Sequence, residues 1–315
     1  SKVAVARFTN LMGRAVSIVL EPDYSSPFEA ALLAKSYVKH AGNASVDSFD
    51  STDPMKSTNG QFDALKRQTN GDIVTICTDP DSAVFATGSG ILYGDIVAGI
   101  GGGVNISGNY TNLGAVGDGA DVDISDVIVP MSTALTDPPV KIASAKSSQT
   151  ILVNGEKDMA VSYVRMTGGT LTVQGSGRLR LYVEGDMSIS GSASMIISNS
   201  PPSADLEIEI YANGDVLLNS FVNETGYAKN IGIFGTDMCT DVKYTGNSVF
   251  TGYMYTPHAS YEFSGQGDFN GAVVANTIDV TGTGDFHYDE SLGNLMLPFL
   301  LGYRIISWEE LPAPF

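Results

Sequence analysis

The sequence predicts an all-β chain, an elongated β-solenoid of the parallel β-helix kind with one or two short helices, and three observations predict it. Glycine supplies 35 of 315 residues, scattered singly between short apolar runs. Glycine takes positive φ without steric cost, so this is the punctuation of tight turns between short strands. A Gly-Asp pair recurs at Gly71, Gly94, Gly117, Gly185, Gly214, Gly267 and Gly284, the first three 23 residues apart, a spacing of coil length. Lastly, Gly246-Asn-Ser-Val-Phe-Thr-Gly252 is echoed by Gly265-Gln-Gly-Asp-Phe-Asn-Gly271 and again from Gly282 to Phe286. A β-sandwich is the competing architecture.

Taken in order, Lys2 to Phe8 alternates apolar and polar as a strand does. Ser26-Pro27-Phe28-Glu29 has the form of a helix start, with Ser as N-cap and Pro at the first position, and predicts a short helix over 27–33. Strand and helix make an N-terminal segment, 1–34. A first solenoid portion follows over 35–130, with turns at Asn59-Gly60 and Asn70-Gly71. From Pro130 to Pro139 there is no periodicity and there are three prolines, which predicts a segment crossing between two portions at 131–150. The second portion, 151–290, holds short β candidates at 171–173, 179–183, 187–189, 195–197 and 206–210, with further turns at Asn154-Gly155 and Asn213-Gly214. Equivalent side chains of successive coils stack inside a solenoid, so Phe250, Phe269 and Phe286 are expected to form an internal aromatic ladder. Residues 253–255 and 272–275 would then be equivalent strands one coil apart. The apolar end, 291–315, reads as a cap or an interface.

Composition excludes several function classes. Asp and Glu number 35 against 17 Lys and Arg, a net charge of −18 that repels phosphate backbones, so nucleic acid is not an expected partner. No apolar run approaches the ~18 residues of a membrane-spanning helix. The chain opens at Ser1 without a basic region or apolar block, and it reads as a processed product whose targeting segment lies upstream. The two cysteines, Cys77 and Cys239, form no CxxC, and a zinc site is excluded on their count alone. They either make one disulfide or are buried thiols.

No catalytic residue, cofactor site or metal site is expected. The best acidic cluster is Asp118, Asp121, Asp123 and Asp126, whose alternate carboxylates would suit Ca²⁺ through oxygen ligands; a solvated acidic loop is the plainer reading. Asp47, Asp50 and Asp53 are explained by turn chemistry. Of the three histidines, His40 and His258 lack an i+4 metal partner, and so does His287. His287 with Asp289 would make an acid/base pair, or else a capping turn in which Asp289 starts a short helix. Gly99 to Gly103 lacks the lysine of a phosphate loop and reads as a turn. Sequons at Asn43, Asn105, Asn109 and Asn223 carry little weight, since asparagine is common in β-turns.

Asn43 to Ser51, the Asn70-Gly71-Asp72 turn, the Gly-Ala-Val-Val-Ala block at 271–275 and Phe286 to Leu292 resemble a bacterial glycine-rich β-solenoid family. In that family such a region follows a pilus-type hydrophobic N-terminal helix, and the members are largely uncharacterised surface proteins. The resemblance spans roughly residues 30–310; it implies a cell-surface location and supplies no catalytic residues. The helix is missing here.

These readings point to a non-enzymatic extracellular structural protein that self-assembles into a filament or fibrous layer. Its expected interface is Val3, Val5, Phe8, Leu295, Leu297, Phe299, Leu300 and Trp308, joining residues 1–20 of one copy to 295–315 of the next. The alternatives are a surface adhesin with Tyr253, Tyr255 and Tyr261 as a glycan-stacking platform, and, less favoured, a polysaccharide lyase or hydrolase.

Overall fold

A computed structural model describes residues 4–9, 15–23, 26–130, 139–143, 148–198, 205–297 and 302–311. The protein is all-β and divides into two compact units, one of residues 1–26 with 296–315 and one of residues 27–295.

In the smaller unit, Ala4–Thr9, Ala15–Asp23 and Gly302–Leu311 form an antiparallel three-stranded sheet with Ala15–Asp23 in the middle. Val5 lies opposite Val19, Phe8 opposite Val16, and Ile18 opposite Trp308. The two terminal segments expected to reach for a neighbouring copy therefore pair with each other in one chain. Val3, Phe299 and Leu300 lie outside the described residues. Leu295 is half-buried, Leu297 is buried and Trp308 is 66% exposed.

The larger unit is a single 22-stranded sheet whose strand pairings are all parallel. Its strands run in three ladders. The first climbs through 155–161, 177–183, 206–212, 231–235, 253–256 and 272–275. The second climbs through 164–166, 187–189, 216–218, 242–244, 261–263 and 278–280. The third climbs through 149–153, 171–173, 195–197 and 221–223, then 250–252, 269–271 and 286–289. Parallel pairing throughout leaves no antiparallel face-to-face sandwich among the described residues of this unit. Tyr253, Met254 and Tyr255 pair with Ala272, Val273 and Val274, one coil apart.

Space and sequence disagree in order. After 272–275 and 278–280 the ladders continue not with later residues but with Leu32–His40, the first strand of the unit, and Phe286–Asp289 pairs with Ser45–Phe49. From there the ladders run on through 73–75, 84–86 and 91–92 to 96–99, then to the last coil at 104–106, 111–112 and 116–120. The N-terminal portion is thus seated on the end of the C-terminal one.

This seating explains the missing helix. Residues 27–31 are bends and Leu32 opens a strand, because Leu32, Leu33 and Ala34 pair with Val273 to Ala275 on one side and Ile73 to Thr75 on the other. Two ladders' worth of backbone bonds outweigh a local capping signal. The boundary at 34/35 falls inside that strand. The only regular helices among the described residues are short 3₁₀ turns, including Glu290–Asn294, whose N-cap is Asp289 accepting from the Ser291 amide. Of the crossing segment, 131–138 and 144–147 lie outside the described residues. Residues 121–130 carry no strand, and Ser125 and Asp126 lie against the strand Phe250–Phe263, with the Tyr255 hydroxyl donating to the Ser125 carbonyl at 2.7 Å.

Alternation builds the core. Leu206–Ala212 (LEIEIYA) buries Leu206, Ile208 and Ile210 and turns Glu207 outward. Outside, Asp158, Arg180 and Glu209 sit in register, as do Glu156, Arg178 and Glu207, so each arginine lies between carboxylates on the coils before and after it. Inside the third ladder, Phe250 and Phe269 stack at 4.8 Å and Phe269 and Phe286 at 4.4 Å, all fully buried, with Phe221 next at 5.1 Å. Gly271 has φ +149°, and a Cβ there would lie 1.7 Å from the Gly252 carbonyl oxygen, so no side chain fits between these coils.

Six of the seven Gly-Asp pairs occupy corners, two to each. Asp72 accepts from the amide of Asp95, Asp186 from that of Asp215, and Asp268 from that of Asp285. Each carboxylate thus bonds the backbone of the next coil at the same corner, and the preceding glycine lets the coils approach: a Cβ on Gly284 would lie 2.2 Å from the Gly267 oxygen. Gly117-Asp118 is not a corner. It lies within the strand Val116–Ala120, and the Gly94 corner is continued by Gly114-Ala115, so the second 23-residue interval is not a coil step.

Candidate functional site

Two features of the larger unit could act on something else. One is the open end of the ladders. Ile106 and Val116 lie in register with Ala86 and Ile96, which are fully buried core residues, yet they are 39% and 51% exposed. No strand pairs with the outer edges of Val104–Ile106, Thr111–Asn112 or Val116–Ala120 among the described residues. At the opposite end Ile142, Ile151 and Val153 are 2–7% exposed, so that core is covered.

The other is a groove of about 290 Å³ on the outside of the third ladder. Its floor is the outward row Val222, Thr251, Asn270 and His287, with Asp268 at the corner. Its wall is the 50–70 loop. There Asn59 and Gly60 have φ +55° and +78° and close a two-residue hairpin between Thr58 and Gln61, the turn that Asn-Gly favours. The hairpin carries Phe62 onto His287, ring on ring at 3.5 Å. Glu290 anchors the loop by accepting from Ser48, Lys56 and Asn70.

His287 Nδ1 lies 2.5 Å from Asp47 Oδ1, and Asp47 Oδ2 lies 2.6 Å from Arg67 Nε. Asp47 is therefore a fully buried charged partner and not a turn residue, while Asp50 and Asp53 do cap turns at Thr52 and Met55. Asp289 does not pair with His287; it accepts from the Ser51 and Ser291 amides, and burial raises its pKa. Sequence spacing could not show the Asp47–His287 contact, because its members are 240 residues apart and meet only through the displaced stacking order.

The remaining candidates are dispersed. Asp118 accepts from the Gly101 amide, Asp123 from the Ser125 hydroxyl, and Asp126 meets His258 at 2.7 Å; with Asp121 they form no group of converging ligand atoms among the described residues. Tyr253, Tyr255 and Tyr261 are 0–4% exposed and offer no stacking platform. Cys77 and Cys239 are free thiols. The row Phe234, Tyr255, Val274, Leu33, Val74 puts four coil steps between them, about 19 Å at strand spacing, beyond disulfide reach. Burial pushes the Cys239 thiol up to about 12.

No curated protein sequence matches the chain. The solved structures that are similar to it include two from bacteria. The competence-associated pilin ComZ from Thermus thermophilus is 10% identical over 95% of this chain and 79% of that one, with a TM-score of 0.35. An ice-binding protein from an Antarctic bacterium, Flavobacteriaceae, is 12% identical over 82% and 80%, with a TM-score of 0.20. No functional reading rests on either at these scores. Residues 203–295, which hold Asp268, Asn270, Asp285 and His287, match a family described as a domain of unknown function (DUF7305).

Proposed function

We propose that the three ladders are the sides of a β-solenoid, and that the protein is a non-enzymatic extracellular structural subunit that self-associates through the open end of its stack. The observation that carries this reading is the exposure of Ile106 and Val116 at core positions. An uncovered parallel edge is a template for another chain, and the occupant is a second copy. The protein already joins coils without chain continuity, where Leu32–His40 sits on Phe269–Val280. With the opposite core covered, two open ends meet each other as a two-fold pair, and Trp308 on the smaller sheet is the contact that would link pairs into a filament or layer. The surface location rests on the family resemblance of residues 43–51 and 286–292.

Sedimentation velocity across protein concentration, with negative-stain microscopy, tests the reading. Wild type should form pairs or regular polymers, and the double substitution Ile106→Lys, Val116→Lys should leave monomers with an unchanged circular-dichroism spectrum. Wild type that stays monomeric at every concentration removes the proposal.

A further inference from the structure

We propose that Asp268, Asp285 and His287 form a binding site for a divalent first-row transition-metal cation of the zinc class, independent of self-association. The three side chains offer ligand atoms that all lie within 4.8 Å of one another. They form part of a square on two adjacent coils: Asp268 and Asn270 on one, Asp285 and His287 directly above on the next. The residues at i and i+2 share the outer face of their strand.

His287 distinguishes this square from an ordinary acidic corner. Its side chain is only 4% exposed. Nδ1 is committed to Asp47, whose own charge is balanced by Arg67, and Phe62 fixes the ring plane. Among the described residues Nε2 has no hydrogen-bond partner, and His287 lines the groove. A carboxylate on one ring nitrogen, with the other nitrogen free and oriented, is how proteins hold a metal-ligating imidazole. A second group points the same way. Asn270 Oδ1 is buried without a hydrogen-bond partner, while its amide nitrogen reaches Thr251 on the coil below. A buried acceptor left unmade is costly, and a cation would satisfy it.

The carboxylates are available. Asp268 and Asp285 each spend one oxygen on a backbone amide of the next coil, from Asp285 and Ser45 respectively, which leaves the second oxygen of each. One imidazole nitrogen with two or three oxygens suits a borderline cation, whereas calcium takes six to eight oxygens. Ligand atoms around zinc sit about 3.3 Å apart, so the half-exposed aspartates move inward to the locked histidine.

Isothermal titration of the chelator-treated full chain with ZnCl₂, MnCl₂ and CaCl₂ tests the site. One zinc per chain is expected, with a raised melting temperature, weaker manganese binding and no calcium heat. Asp268→Asn and Asp285→Asn keep an oxygen for the next coil's amide, so each should fold and lose at least tenfold in zinc affinity. Asp47→Asn, which reaches the site through His287, should lose roughly tenfold to a hundredfold. Nitrogen-15 histidine spectra should show the Nε2 resonance of His287 shifting with zinc while Nδ1 stays protonated, a readout available without any variant. Absence of a saturable one-to-one event in wild type overturns the proposal, as does zinc binding that both aspartate variants retain in full.

Discussion

At the scale of single residues, His40 sets an acid limit. It points into the core, is fully buried, and bonds through Nδ1 to the Tyr110 hydroxyl at 2.8 Å. Desolvation lowers its pKa to about 4 from an ordinary 6.5. Its folded-state pKa lies below the unfolded one, so the contribution is intact above pH 6.5. It is lost as pH falls through that value towards 4, where the unfolded chain takes up a proton that the folded chain refuses. The loss approaches about 3 kcal/mol at pH 4. Asp72 and Asp289, whose pKa values burial raises, act in the opposite sense, so the measurement is a difference. Melting temperature against pH should fall more steeply below 6.5 for wild type than for His40→Gln. Parallel curves would clear His40. The sequence shows this histidine but not its burial, because no local pattern tells that the strand at 32–40 lies in mid-stack with neighbours on both edges.

Among elements, the 50–70 loop depends on one side chain from the far end of the chain. Glu290 accepts from Ser48 Oγ, Lys56 Nζ and Asn70 Nδ2 at 2.7–2.9 Å. Glu290→Ala removes all three bonds, and at roughly 1 kcal/mol each it should cost about 2–3 kcal/mol, concentrated in the loop. Limited proteolysis should then cut between 52 and 66 well before the ladder strands are lost. Uniform loss of protection across the larger unit would show that the loop is not a separate cooperative element. Much at this scale was legible in the sequence. The repeat around Phe250, Phe269 and Phe286 gives the coil step and the stacked rings, since identical environments one coil apart select identical residues. The Gly-Asp pairs are legible as punctuation. Their grouping into corners is not, because coil lengths vary and no fixed period survives. The groove is illegible for a different reason: Asp47, Arg67 and His287 come from three places whose adjacency depends on which coil follows which in space.

For the whole molecule, that order can be tested by rewiring. A circular permutant that joins residue 315 to residue 1 through a flexible linker of about eight residues, and opens the chain in the crossing segment, keeps every residue but makes chain order match stack order. It should reach the same far-ultraviolet spectrum, melt within a few degrees of wild type, and refold faster, because sequence separation between paired strands falls. A permutant that folds more slowly would mean that the displaced order is not what limits folding.

The displaced seating also has a consequence in time. A chain made from its N-terminus completes 32–120 first, while the strand that must lie beneath Leu32–His40, Phe269–Val280, begins only 149 residues further along the chain. For that interval the early portion carries two bare edges, the one at 104–120 that persists and the one at 32–49 that closes only when Phe286–Asp289 arrives. Nascent chains held close together therefore have a second way to pair, early portion on a neighbour's late portion, through the same contacts that complete a single molecule. Whether the protein matures as itself or as an exchanged pair is then decided by how far apart the growing chains are kept.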